Sequence, residues 1–213
     1  MSASKASSWT WTESWLEESP PVRGARERAG ELGIGAVSTG GGALLTVLAA
    51  AVQARAVVDV GTGAGVSALR LLEGMPADGV LTSIDVEAEH TGAARAGLQA
   101  AGVRANRSRV IHGDAAAVLP RLADGGYDLV HVDVDDARVP GAVLPEAVRL
   151  LRPGGVLVVS DALARDRVPD PAQRDARTTA MRELLRAVHD DDRLLATVLP
   201  VGAGVLVAVR QPG

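Results

Sequence analysis

The 213-residue chain contains no cysteine. That excludes disulfides, thiolate metal sites and a cysteine nucleophile. Phenylalanine is also absent, and Tyr127 is the only tyrosine. Lysine occurs once, at Lys5, so any mechanism that needs a lysine in the folded body is excluded. No apolar run reaches the roughly 18 residues that would suggest a membrane span. The opening stretch "MSASKASSWTWTES" lacks the charged and apolar regions of a secretory signal. Net charge is -4 and the arginines are dispersed, which argues against nucleic acid as a partner. The expectation is a cytoplasmic protein with neither membrane nor nucleic acid among its partners.

What is present is organised. Apolar residues make up 47% of the chain, enough at this length for one domain with a substantial core. Residues 1–22 read as an arm closed by Pro20 and Pro21, and 23–213 as the folded body. All three tryptophans, Trp9, Trp11 and Trp15, lie in the arm. Trp11 and Trp15 are four apart and share a helix face, with Glu13 and Glu17 turned elsewhere. Two readings stay open for the arm: a short helix packed on the body, or a lid or dimer-exchange element.

From residue 23 the pattern becomes βαβα. Helices are expected at 23–32 and about 40–54. The apolar, β-branched run "AVVDV" (56–60) is a strand, and a glycine turn then opens the helix "GVSALRLLEGM". Further strands are expected at 79–85, 108–114, 127–133 and 155–161, alternating with helices at 87–102, 115–123 and 139–151. Near-continuous apolar strands separated by helices describe a parallel sheet covered on both faces. The tail has a helix at about 171–190, then "RLLATVLP" and "GVLVAVR" joined by "VGAG". That link reads as an antiparallel hairpin.

The turn "VVDVGTGAGVS" follows a strand and opens a helix. Gly61, Gly63 and Gly65 let the backbone approach a ligand closely, and the helix start offers free N–H groups. A dinucleotide fingerprint beginning at Gly61 requires Gly or Ala at 66, where this chain has Val66. A nicotinamide oxidoreductase is therefore disfavoured. Asp59, two residues before the first glycine, suits a ligand cation better than a pyrophosphate.

This turn resembles the first motif of the S-adenosylmethionine (SAM)-dependent methyltransferases. Together with "AVSTGGGALLTVLAA", "DLVHVDVDD" and "RVPDPAQRDARTTAMREL", it is similar to the small-molecule O-methyltransferases of the catechol/caffeoyl-CoA type, often called family 3, in an actinobacterial form. The resemblance implies a doubly wound, Rossmann-like class I fold of seven mostly parallel strands with an antiparallel C-terminal hairpin, and a homodimer. It implies SAM as cofactor and a small-molecule hydroxyl as methyl acceptor. For SAM, it implies Val37, Ser38 and Ser67 at the methionine end and Asp59 at the amino group. Gly61, Thr62, Gly63 and Gly65 would wrap the ligand. Asp85 and Val86 would meet the ribose, and Gly113, Asp114 and Ala115 the adenine. Asp133 and Asp135 would lie at the methionine end.

Metal-dependent members of that family hold a divalent cation, usually Mg, with an acid ending strand four and an Asp-Asn pair ending strand five, and use a lysine as base. Here the corresponding residues are Asp133 and Ser160-Asp161, while Asp136 stands in the lysine's place. The implied metal set Asp133, Ser160 and Asp161 has thus exchanged an anionic ligand for a neutral one and lost its base. Asp133 and Asp161 are the candidate catalytic acids, with or without Mg. His131 shares a strand face with Asp133 and is either a satisfied core residue or the base that replaces the lysine, since histidine as a residue type changes charge near neutrality. His112 has the same two readings, and His90 and His189 read as surface residues. Asp128, at the start of its strand, reads as solvated. Arg165 and Arg167 read as solvated or as binders of an acidic acceptor. A SAM-dependent O-methyltransferase with a divergent active site is the leading expectation. A SAM-binding interaction protein that has lost catalysis is the alternative.

Overall fold

The structure is a computed structural model, and it describes residues 3–133 and 139–213. A seven-stranded sheet forms the centre, in the order β3-β2-β1-β4-β5-β7-β6. The strands are β1 (Ala56–Val60), β2 (Val80–Asp85), β3 (Ser108–His112), β4 (Tyr127–Val132), β5 (Leu151–Ser160), β6 (Leu194–Leu199) and β7 (Val205–Arg210). β1 to β5 are mutually parallel, and β7 runs antiparallel between β5 and β6. The expected doubly wound sheet with a terminal hairpin is thus the observed one.

Alternation along the strands divides the core into two layers. Val58, Val60, Val130, Val132, Leu157 and Val159 face one side, where α7 (Val139–Leu150) and α8 (Ala176–His189) pack. Val57, Leu129, Val156 and Val158 face the other. There α2 (Pro20–Glu31), α3 (Thr39–Ala51), α4 (Val66–Gly74) and α5 (Ala88–Ala100) cover them. Because side chains alternate with period two, Asp59, His131 and Ser160 belong to this second face, beside Val57, Leu129 and Val158. Three polar residues on three adjacent strands therefore enter an otherwise apolar layer, and each needs a partner.

Several boundaries differ from the sequence expectation for local reasons. The helix expected at 115–123 is a short α6 (Ala115–Val118) followed by a 3-10 turn over Leu119–Arg121, which contains Pro120. β5 begins at Leu151 rather than 155, because Leu151 pairs with Tyr127 before a register irregularity. α8 begins at Ala176, not 171. Asp175 caps it, accepting from the Thr178 N–H at 3.0 Å and hydroxyl at 2.7 Å. The preceding turn is gathered by Arg182, which donates to the carbonyls of Arg167, Val168, Asp170 and Gln173.

Asp128 is not solvated, contrary to the sequence reading. Its carboxylate accepts from the Arg55 N–H at 2.7 Å, the Ala56 N–H at 2.9 Å and Arg152 Nε at 2.6 Å. It ties the start of β1 to β4 and β5. Burial would raise its pKa, but these hydrogen bonds and the Arg152 charge outweigh burial and hold it below the usual carboxylate range.

α1 (Ala3–Ser14) lies ahead of the body. Trp11 and Trp15 meet in a tilted pair, ring centroids 6.4 Å apart, and both are exposed. Among the described residues no helix is long and apolar enough to cross a membrane.

Candidate active site

β1 and β4 are sheet neighbours whose crossovers lead in opposite directions, and a crevice opens beyond their C-terminal ends, as expected for open α/β sheets. It holds a cavity of about 780 Å³. That is room for a nucleoside-sized ligand with a second small molecule beside it.

The glycine turn forms one wall. Gly61, Gly63 and Gly65 all have positive φ, and Gly65 at +92° precedes α4, where a side chain would press on the Ala94 backbone. Asp85 stands next to it, nearly buried. Its Oδ2 accepts from the Gly63 N–H at 2.9 Å, and its Oδ1 from the Glu87 N–H at 3.0 Å. His90 Nδ1 lies 3.1 Å from the same Oδ1. Three contacts thus fix the carboxylate at the cavity wall. Val86, Gly113, Asp114 and Ala115 complete this end, and Asp114 caps α6 through the Ala116 N–H at 2.9 Å.

Val37 and Ser38 line the opposite end. Arg26 holds the Val37 carbonyl at 2.9 Å, and Ser38 caps α3 by accepting from the Gly41 N–H. Glu13 of the arm reaches the same place, which nothing in its spacing signalled. Its carboxylate accepts from the Gly40 N–H at 2.7 Å, the Gly202 N–H at 3.1 Å and Ser38 Oγ at 3.2 Å. A negative group at a helix start is favourably placed. This one also joins α3 to the β6–β7 turn.

Asp59, Ser67 and His131 do not line the cavity; they form a hydrogen-bonded chain behind it. Ser67 Oγ donates to Asp59 Oδ2 at 2.9 Å. Asp59 Oδ1 lies 2.7 Å from His131 Nδ1, and His131 Nε2 lies 2.9 Å from Ser160 Oγ. Asp59 and His131 are fully buried, and Ser160 lines the cavity. A carboxylate accepts, so Nδ1 carries the ring proton and Nε2 is left to accept from the Ser160 hydroxyl. The serine's lone pairs remain for a ligand. Thr62 and Gly65 also lie outside the lining.

Asp133 and Asp161 both line the cavity. Asp161 has left-handed backbone, φ +53°. Its Oδ1 accepts from the Arg165 N–H at 3.1 Å, and its Oδ2 is ion-paired with Arg177 of α8. Arg165 and Arg177 line the cavity too. Arg167 instead bonds the Ala164 carbonyl and approaches Asp175. Asp135 and Asp136 lie outside the described residues.

This arrangement does not fit the implied Mg site. One Asp161 oxygen already carries a guanidinium, and a divalent ion on the same carboxylate would face that charge at close range. Ser160 offers a neutral hydroxyl where the implied site needs an anionic ligand.

Of the remaining histidines, His112 contacts the Val86 carbonyl at 3.0 Å and is exposed, so it is not a core residue. His189 ends α8 at the surface. His90, expected at the surface, belongs to the cavity wall.

A glycine-walled crevice at the switch point, an acid ending β2 and an antiparallel β7 define a Rossmann-like methyltransferase. The comparisons agree. The O-methyltransferase family profile matches residues 24–211, and the chain belongs to that family. A Mycolicibacterium smegmatis protein with a provisional O-methyltransferase name is 50% identical over 211 residues, covering 99% of this chain and 100% of its own. A solved Corynebacterium glutamicum protein matches with TM-score 0.88 and 33% identity, over 96% of this chain and 95% of that one. TomG, an O-methyltransferase of Streptomyces achromogenes involved in tomaymycin synthesis and solved with SAM, matches with TM-score 0.86 and 29% identity over 100% of both chains. The protein is a SAM-dependent O-methyltransferase.

Proposed function

We propose that the protein methylates a readily ionised hydroxyl of a small molecule in the cytoplasm, without a metal, and that it works as a homodimer. The Asp59–His131–Ser160 chain is the observation that carries the metal-free reading. SAM supplies an already activated methyl group, so in-line positioning and exclusion of water provide most of the acceleration.

The donor lies along the glycine wall, against Gly61 and Gly63, with Thr62 and Gly65 shaping the turn behind them and Asp85 and Val86 at the ribose. Gly113, Asp114 and Ala115 flank the adenine. Val37, Ser38, Asp133 and Asp135 serve the methionine end, which Asp59 and Ser67 support from behind. The acceptor oxygen attacks the methyl carbon as the carbon–sulfur bond breaks, and that electron pair goes to sulfur. The hydroxyl proton passes to Ser160 Oγ while the serine's own proton moves to His131 Nε2. Asp59 balances the resulting imidazolium. Asp133 balances charge near the sulfonium, and Asp161 orients the acceptor half. Residues 1–22 act as an arm that closes the methionine end through Glu13.

Titration calorimetry with SAM, then with a catechol, in Mg and in EDTA tests this reading. SAM should bind equally in both, and methyl transfer should follow. Absence of SAM binding would sink it. SAM binding with no transfer to any hydroxyl acceptor would favour a non-catalytic SAM-binding role.

A further inference from the structure

Arg177 lines the cavity, and the residues around it hold it in place. It sits in the first turn of α8, fixed by the Asp175 cap. Its guanidinium is ion-paired with Asp161, and both side chains are about five-sixths buried, at 16% and 14% exposure. Asp161 is held in turn by the Arg165 N–H and by left-handed backbone. Three residues further on, Ala164, Arg165 and Asp166 are left-handed as well, with φ of 47°, 55° and 64°. Such conformations persist only where the surroundings impose them, and they gather at functional sites. The outcome is a cation fixed at the cavity wall, on the residue that follows Ser160.

Resting on the methyltransferase reading of this cavity, we infer that the Arg177 guanidinium does the work of a divalent cation. It attracts the acceptor oxygen as an oxyanion and aligns it beside Ser160 for attack on the methyl group. A guanidinium is charged at every working pH and needs no loading. A charged N–H donor makes a stronger hydrogen bond to an anionic oxygen than to a neutral one. The guanidinium carries one charge where a divalent ion carries two, so it favours hydroxyls that are already acidic. The acceptor class is therefore an electron-poor catechol, or a hydroxyl beside a carbonyl or carboxylate, rather than an electron-rich catechol. Asp161 is a positioning residue for Arg177.

A nitrocatechol tests this directly, because ionisation of its phenol is read from its absorbance without turnover. Wild-type protein in EDTA with S-adenosylhomocysteine should bind the phenolate form at a pH below the free compound's own ionisation. Arg177→Met should lose that spectral shift, and Arg177→Lys should recover part of it. In turnover, Arg177→Met should lower kcat by about 10²-fold or more, as loss of an oxyanion donor does. SAM affinity measured by calorimetry should be kept, which separates this effect from misfolding. A phenolate shift that survives Arg177→Met, one that appears only with Mg, or failure of the wild type to bind the probe would overturn the inference. If the shift follows Arg177 while SAM does not bind, the methyltransferase reading fails instead.

Discussion

His131 and Asp59 lie side by side on β4 and β1, the ring nitrogen Nδ1 2.7 Å from Oδ1, with neither side chain exposed. A fully enclosed acid–imidazole pair is costly unless its hydrogen bonds are complete. Here they are completed at one end by Ser67 and at the other by Ser160, the only member of the chain that lines the cavity. The pair therefore reaches the cavity through one hydroxyl.

Ser160→Ala removes that hydroxyl with little change of volume. It should lower kcat by about 10²–10⁴-fold, the usual range for loss of proton transfer, while SAM affinity holds. Steady-state kinetics across pH check it: the loss should shrink as pH rises and the acceptor ionises on its own. A loss that is the same at every pH would point to a packing role.

Asp85→Asn keeps the shape of the acid that ends β2 but weakens its grip on the Gly63 N–H and on a bound diol. Calorimetry should show SAM binding weakened by about tenfold or more, as expected when one charge-assisted hydrogen bond is lost. His90→Ala should weaken SAM less, since the two backbone N–H donors still hold Asp85.

Glu13→Ala separates α3 from the β6–β7 turn beside Val37 and Ser38 of the cavity lining. The Gly40 and Gly202 N–H groups lose their acceptor, and SAM affinity should fall several-fold, by about 1 kcal/mol or so. Because α1 is peripheral, the melting temperature should barely move. A fall in melting temperature with unchanged SAM affinity would assign Glu13 to the fold instead.

Asp128→Ala should destabilise the protein by about 1–3 kcal/mol, because two backbone N–H groups and Arg152 lose their acceptor together. The wild-type carboxyl is held below its unfolded value, so its contribution is fully present above about pH 4 to 5 and is lost as pH falls through the folded pKa. Denaturant titrations at neutral pH and at about pH 3 check the sign: the gap between wild type and Asp128→Ala should narrow in acid.

The sheet was legible because its strands are near-continuous β-branched runs, and the reversal at β7 because "VGAG" joins two such runs. The glycine wall was legible for the same local reason. What the chain order hides are contacts between distant residues. Asp128 reads as a strand-start acid until Arg55 and Ala56 are seen to need an acceptor. Arg177 is one arginine among many until the fold sets it on Asp161. His131 could be placed on the face of Asp133 by period two, yet its partners lie on β1 and β5, and only the strand order brings them together. The β5 start is hidden in the sequence because Pro153, Gly154 and Gly155 read as a stop, although Leu151 already pairs with Tyr127.

The central claim is that protein groups alone ionise and position the acceptor. Its most direct test is single-turnover methyl transfer from SAM to an electron-poor catechol, using protein stripped with EDTA and then supplied with Mg. The expected result is transfer in EDTA at a rate that Mg changes by no more than about twofold. Transfer that is absent in EDTA and restored about tenfold or more by Mg would contradict it.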